Sequence, residues 1–362
     1  MKNQVDADTG WPRLGRQLPR LALACAAFAV ASCLLVAPKA GASKTATRGA
    51  GPPETAPLTI VIVTLDGVRW HEVFEGVDAG LAKERGLTPD GVVSASELMP
   101  NLHAIIATRG VALGAPGHGE TISASGPNFV SLPGYAELLS GRRSTACHDN
   151  QCPGAGIRTI VDELAARARH ERPDVAVITS WPDIARVASL DASSALVSSG
   201  RHGGATRAWF SHDAADRAPL LRAEAANPEP GNGDFRPDAL TAELALQHLR
   251  MHPTRFLFLG LGEPDELGHQ GNYAGYLTAL RRADAQLARV EAELERLAAR
   301  GTRTALFITA DHGRADSFNE HGARFPESAR VWLVATGSAL RSSGFLAAPS
   351  PRWLADLAPT VR

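Results

Sequence analysis

Thr304-Ala-Leu-Phe-Ile-Thr-Ala-Asp-His-Gly313 decides the fold class. Its apolar first half reads as a buried strand. The strand gives way to Asp311-His312-Gly313, a carboxylate and an imidazole at the C-terminal edge of a sheet, where open α/β sheets place their sites. His321 follows in Asn319-Glu320-His321-Gly322, on the same loop. The pattern recurs twice. The β-branched run Leu58–Thr64 leads into Leu65-Asp66-Gly67, and Phe256–Leu261 leads into Asp265 and, four residues on, His269. One Asp-Gly after a strand is an ordinary turn. Polar residues of metal-binding type behind three separate strands are a constellation.

Helical segments separate these strands. Pro100 opens a helix that runs to Arg109, with proline in its first turn. A second ends at Gly141, with Pro133 near its start and Ser131 at its N-terminal end. Residues 157–170 and 239–250 read as helices, and 175–179 and 331–335 as strands. Residues 276–300 form one long amphipathic helix with Leu277, Leu280, Leu287, Val290, Leu294 and Leu297 on one face. Trp353–Thr360 starts a last helix. This alternation predicts an α/β protein, a three-layer α/β/α sandwich with a largely parallel central sheet. Residues 189–236, rich in Ser, Gly, Asp, Ala and Pro, read as an insertion or lid. Gly114–Thr121 has the glycine spacing of a phosphate-binding loop, but Glu120 stands where the lysine belongs and no helix pattern follows, so that reading fails.

The 362 residues carry 37 basic and 38 acidic side chains and 6% aromatics, which excludes a strong basic field or base-stacking platform for nucleic acid. Lys2, Arg13, Arg16 and Arg20 precede an apolar run from Leu21 to Val36 and a small-residue stretch, Ala40-Gly41-Ala42. Residues 1–42 thus read as a signal peptide, with an uncleaved anchor or a lipoprotein-type Cys33 as alternatives that would tie the chain to a membrane. Residues 43–57 read as a flexible tether, and 58–362 as the main folded domain, which the resemblance given below implies is catalytic. Cys147 and Cys152 then remain as a pair, which in an exported chain, periplasmic or extracellular, reads as a disulfide; two free thiols or soft metal ligands are the alternative.

Asp66, Asp265, His269, Asp311, His312 and His321 are oxygen and imidazole ligands without thiolate, a set that suits zinc, with manganese as the alternative. Six ligands exceed one tetrahedral site and divide into two. Two ions roughly 3.5–4 Å apart can clamp both oxygens of a phosphoryl displacement. Ser131, at a helix start, is either a cap or a nucleophile.

In these pieces the chain resembles the alkaline phosphatase superfamily. Leu65-Asp66-Gly67, Ser131-Leu-Pro-Gly-Tyr135, Pro264-Asp265-Glu-Leu-Gly-His269, Asp311-His312-Gly313, His321-Gly322 and Asp356–Thr360 stand in that family's order, the middle pair nearest to nucleotide pyrophosphatase/phosphodiesterases. The resemblance implies that Asp265, His269 and His321 hold one metal, and Asp66, Ser131, Asp311 and His312 the other. It implies an exported hydrolase of phosphate mono- or diesters acting through a phosphoseryl intermediate, on small-molecule or lipid-linked substrates. A sulfate-ester or phosphonate hydrolase, an envelope head-group transferase, and a catalytically silent binding protein are the alternatives. Asn128 is a candidate donor to substrate or a loop stabiliser. Arg69, Arg142 and Arg314 are candidate phosphate ligands or, better, partners in surface ion pairs. Tyr135 stands where the related sulfatases carry arginine, which argues against formylglycine formation, and residues 189–236 are too few for the large cap of the related phosphomutases.

Overall fold

Three strands carry the centre of the protein: β1 (Leu58–Leu65), β6 (Phe256–Leu261) and β7 (Arg303–Thr309). The computed structural model describes residues 52–143, 145–167, 174–191, 195–201, 218–219, 222–223 and 233–362. The expected signal peptide, with Cys33, and most of the expected tether lie outside the described residues. Among the described residues no helix is long and apolar enough to cross a membrane.

The main sheet also contains β2 (Gly110–Leu113), β4 (Val175–Thr179), β5 (Leu196–Ser199), β9 (Leu333–Gly337) and β10 (Gly344–Phe345), in the order β10-β2-β9-β7-β1-β6-β4-β5. Only β9 runs against its neighbours β7 and β2. β1 lies between β7 and β6, in register from Thr64 to Thr309 on one side and Leu65 to Leu261 on the other. The ends of these three strands therefore lie side by side. A small second sheet pairs β3 (Ile122–Ser123) with β8 (Arg330–Val331) and β11 (Arg352–Trp353).

The sequence explains the layering. β1 and β6 are buried along almost their whole length, as uniformly apolar strands between two helix layers must be. β7 alternates between buried and half-buried residues, so one of its faces is less covered. Seven helices are named here: α1 (Pro100–Thr108), α2 (Ser131–Ser140), α3 (Ile160–Arg167), α4 (Asp238–Met251), α5 (Glu263–His269), α6 (Tyr273–Ala299) and α7 (Leu357–Val361). α6 packs on α1, α4 and β7, while α2 packs on α3 and α7. The α6 stripe is buried as the periodicity predicts, from Leu277 to Leu294. Asp284 on α6 caps α1 by accepting from the backbone of Asn101 and Leu102.

Two expectations change, and one stretch that the sequence left open takes a definite form. The strand expected over 331–335 breaks at Trp332 into β8 and β9, in different sheets. Trp332 is fully buried and its indole donates to the carbonyl of Val68 at 3.0 Å. The stretch behind β6 is a helix, α5, so Asp265 and His269 lie one turn apart on one face. Residues 196–199, within the expected insertion, form the sheet's edge strand β5. Most of residues 202–232 lie outside the described residues.

Candidate metal centre

Asp66 and the pair Asp311-His312 directly follow β1 and β7, Asp265 sits in the first turn of α5 just behind β6, and the register of the three strands brings them together. Gly67 makes the close approach possible. A Cβ there would lie 2.2 Å from Asp265 Oδ1, and φ is +63°. The Gly67 N–H donates to Asp311 Oδ1 at 3.2 Å.

Two groups of ligand atoms result. In one, Asp265 Oδ2 lies 3.1 Å from His269 Nε2, Asp265 Oδ1 lies 3.8 Å from His321 Nε2, and the two Nε2 atoms are 3.0 Å apart. In the other, His312 Nε2 lies 3.5 Å from Asp66 Oδ1 and 3.5 Å from Asp311 Oδ2. Asp265 also lies within ligand distance of Asp66 and His312, so one carboxylate is common to both groups. The expected division into separate sets does not anticipate that sharing.

Three observations fit this cluster to divalent cations. His312 Nδ1 lies 2.8 Å from the Gly313 carbonyl, and His321 Nδ1 lies 2.9 Å from the Phe129 carbonyl. A carbonyl only accepts, so each Nδ1 carries the proton and each neutral ring points the Nε2 lone pair into the cluster. Asp311 Oδ2 is buried with no hydrogen-bond partner among the described residues. Burial and the neighbouring Asp311 and Asp265 carboxylates push Asp66 well above the usual carboxylate range. Burial and Asp265 do the same to Asp311, and burial holds His312 well below its usual value. Such a crowd of buried carboxylates lacks positive charge.

Ser131 is the first residue of α2, and the cap position falls to Val130, which makes no side-chain cap bond. The Ser131 hydroxyl turns into the cluster, 3.3 Å from Asp66 Oδ1 and 3.2 Å from His312 Nε2. The plain helix-cap reading is therefore not what this hydroxyl does. Tyr135, one turn on, donates to Asp66 Oδ2 at 2.8 Å. That contact escaped sequence reasoning, although the spacing of four places both side chains on one face. Asn128 Nδ2 donates to the His148 carbonyl at 2.6 Å, so it ties two loops together here.

The arginines differ from the surface ion pairs expected. Arg314 is buried, pairs with Asp265 Oδ1, and donates to the carbonyls of Phe318 and Asn319 at 2.6 and 2.8 Å. It braces the loop between His312 and His321. Burial raises the Asp265 pKa, but Arg314 and the hydrogen bond from His269 outweigh that and hold it well below the usual range. Arg69 is buried against Glu72 and Asp78. Arg142 remains exposed.

Residues 231–361 match the family model described as Metalloenzyme superfamily. The match takes in Asp265, His269, Asp311, His312 and His321. The chain is similar to 2,3-bisphosphoglycerate-independent phosphoglycerate mutases from Natronomonas pharaonis, 28% identical over 145 residues, and Haloarcula marismortui, 29% identical over 143. Each match covers 37% of this chain and only 26% of the relative's length. The fold is similar to Ps i-CgsB in complex with k-i-k-neocarrahexaose, with a TM-score of 0.50, 14% identity, and coverage of 86% of this chain and 71% of that one. It is equally similar to a phosphonate monoester hydrolase of Agrobacterium radiobacter, with a TM-score of 0.50, 13% identity, and coverage of 84% and 72%. The α/β fold with a mostly parallel central sheet is borne out.

Proposed function

We propose that this metalloenzyme transfers phosphoryl groups from phosphate mono- or diesters to water through a phosphoseryl intermediate on Ser131. The single observation that carries this reading is the Ser131 hydroxyl, held in a buried cluster of carboxylates and imidazoles at the start of a helix. Asp265, His269 and His321 would hold one divalent ion, and Asp66, Asp311, His312 and Ser131 the other, with zinc the first candidate and manganese the second. Bound there, such ions supply charge that favours an ionised hydroxyl and offsets charge on phosphoryl oxygens.

The chain's own residues do the rest. α2 presents Ser131 Oγ at its N-terminus, where the helix dipole favours developing negative charge. Tyr135 holds Asp66 from behind, leaving Oδ1 toward the serine. Ser131 Oγ attacks phosphorus, the ester oxygen leaves and takes up a proton, and water later breaks the new Oγ–P bond. Asn128 lines a cavity beside α2, where its second amide N–H can donate to a substrate oxygen. His269 is the most exposed of the ligands, so substrate enters from its side.

The leader and the Cys147–Cys152 disulfide support an exported enzyme acting on small or lipid-linked phosphoesters. The likeness to a phosphonate monoester hydrolase keeps phosphonate esters as a second substrate class. Metal-reconstituted protein assayed on aryl phosphomonoesters, phosphodiesters, phosphonates and sulfates tests the reading. Phosphoester turnover that disappears with chelator and in Ser131→Ala is expected. Turnover of sulfate esters alone, or full activity in Ser131→Ala, refutes it.

A further inference from the structure

We propose that Asn150, in the loop closed by the Cys147–Cys152 disulfide, is a positioning residue for Ser131. The inference rests on the reading of Ser131 as the nucleophile. The first turn of α2 lacks a cap of its own, because Val130 has no side-chain acceptor. Pro133 carries no N–H, and Gly134 N–H reaches the Val130 carbonyl at 3.1 Å. The Leu132 N–H is buried with this turn, and its acceptor is Asn150 Oδ1 at 2.9 Å, 18 residues further along the chain. A cap from a distant loop fixes where the helix begins, and with it where the Ser131 hydroxyl points.

The loop is built to hold that amide still. The disulfide joins its two ends across a separation of five residues. Arg186 donates to the carbonyls of Asn150 and Cys152 at 2.9 and 3.0 Å, and is itself paired with Asp183 at 2.8 Å. Asn128, just before α2, donates to the His148 carbonyl on the same loop. Loop and helix start are thus tied at two points, one on each side of Ser131. Among the described residues no hydrogen bond joins Asn150 or Arg186 to a metal ligand, so their effect on catalysis passes through the serine's position. Reduction of the disulfide to two thiols by an added dithiol removes the cross-link between the ends of the loop and weakens the same hold, so turnover should fall.

The test compares Asn150→Leu, which removes the acceptor, with Asn150→Asp, which keeps it, in the full-length metal-loaded protein. Asn150→Leu should lower kcat by about tenfold or more with KM within about threefold, since small displacements of a reacting group are costly. Asn150→Asp should stay close to the parent. Exchange of the Leu132 amide hydrogen should accelerate in the leucine variant only, and metal content should be equal in all three. Unchanged Leu132 exchange in Asn150→Leu, or an equal loss of kcat in both variants, overturns the proposal. Full activity in Ser131→Ala sinks the nucleophile reading instead, while Leu132 exchange still decides whether Asn150 holds the helix start. If the leucine variant does not fold, reduction of the parent's disulfide serves as the second perturbation. Faster Leu132 exchange and a reversible fall in kcat support the role, and no change in either refutes it.

Discussion

His269 and His321 face each other through their Nε2 atoms at 3.0 Å, with Asp265 beside both. The His321 proton is on Nδ1, held by the Phe129 carbonyl, so its Nε2 offers a lone pair. A cation between the rings satisfies both nitrogens and the carboxylate. His321→Ala should therefore lower bound divalent metal by about one ion per chain and abolish turnover, because removing one ligand of a small set weakens binding steeply. Elemental analysis of the purified variant checks this, and unchanged metal content contradicts the assignment.

Gly134 on α2 lies against the backbone behind His312. A Cβ there would sit 2.4 Å from the carbonyl oxygen of Asp311. Alanine is the better helix former by roughly 1 kcal/mol, yet Gly134→Ala should lower both melting temperature and kcat, since backbone cannot yield as a flexible side chain can. Gly91→Ala, with nothing nearer than 3.9 Å, is the control and should be near neutral. A Gly134→Ala enzyme as stable and active as the parent would mean that α2 can shift freely.

Asp238 and Glu263 cross-cap the helices they begin. Asp238 accepts from the backbone of Gly262 and Glu263 at 2.8 and 2.9 Å, and Glu263 accepts from that of Asp238 at 3.0 Å. Burial, then the Glu263 charge, pushes Asp238 up to about 8. The folded state therefore holds this proton more tightly than the unfolded chain, whose Asp titrates near ~3.9. Its contribution is complete below the unfolded value and fades as pH rises through about 8. Melting curves of metal-loaded protein between pH 5 and 9 should show a decline that Asp238→Asn flattens. A parallel decline in both proteins would assign the effect to other groups.

Cys147 and Cys152 close a short loop. By loop entropy the bond should stabilise the protein by about 2 kcal/mol. Thiol titration of unfolded, unreduced protein should find neither cysteine free, and denaturant curves should shift to lower concentration on reduction. Two titratable thiols from this pair would remove one support for export.

Much of the centre is written locally. Asp66, Asp265 and Asp311 each follow an uninterrupted apolar strand, and strand length and turn residues suffice to place them at one edge. Contacts between distant segments are what the sequence conceals. Arg314 meets Asp265 across a separation of 49 residues, so nothing beside it shows that its partner is buried. β2 and β5 are four residues each, too short for periodicity to speak. The break at Trp332 depends on a tertiary bond to Val68, which overrides an apolar run that reads as one strand. The cap of α2 comes from Asn150 rather than from the residue before the helix, where a local reading looks for it.

The stereochemical course at phosphorus tests the central claim most directly. Attack by Ser131 followed by attack of water is two in-line displacements, each of which inverts phosphorus. Turnover of a chiral phosphoester by metal-loaded enzyme should therefore proceed with net retention, and Ser131→Ala should lose several powers of ten in rate, as loss of a nucleophile does. Net inversion would show that water attacks the substrate directly and that Ser131 is no nucleophile.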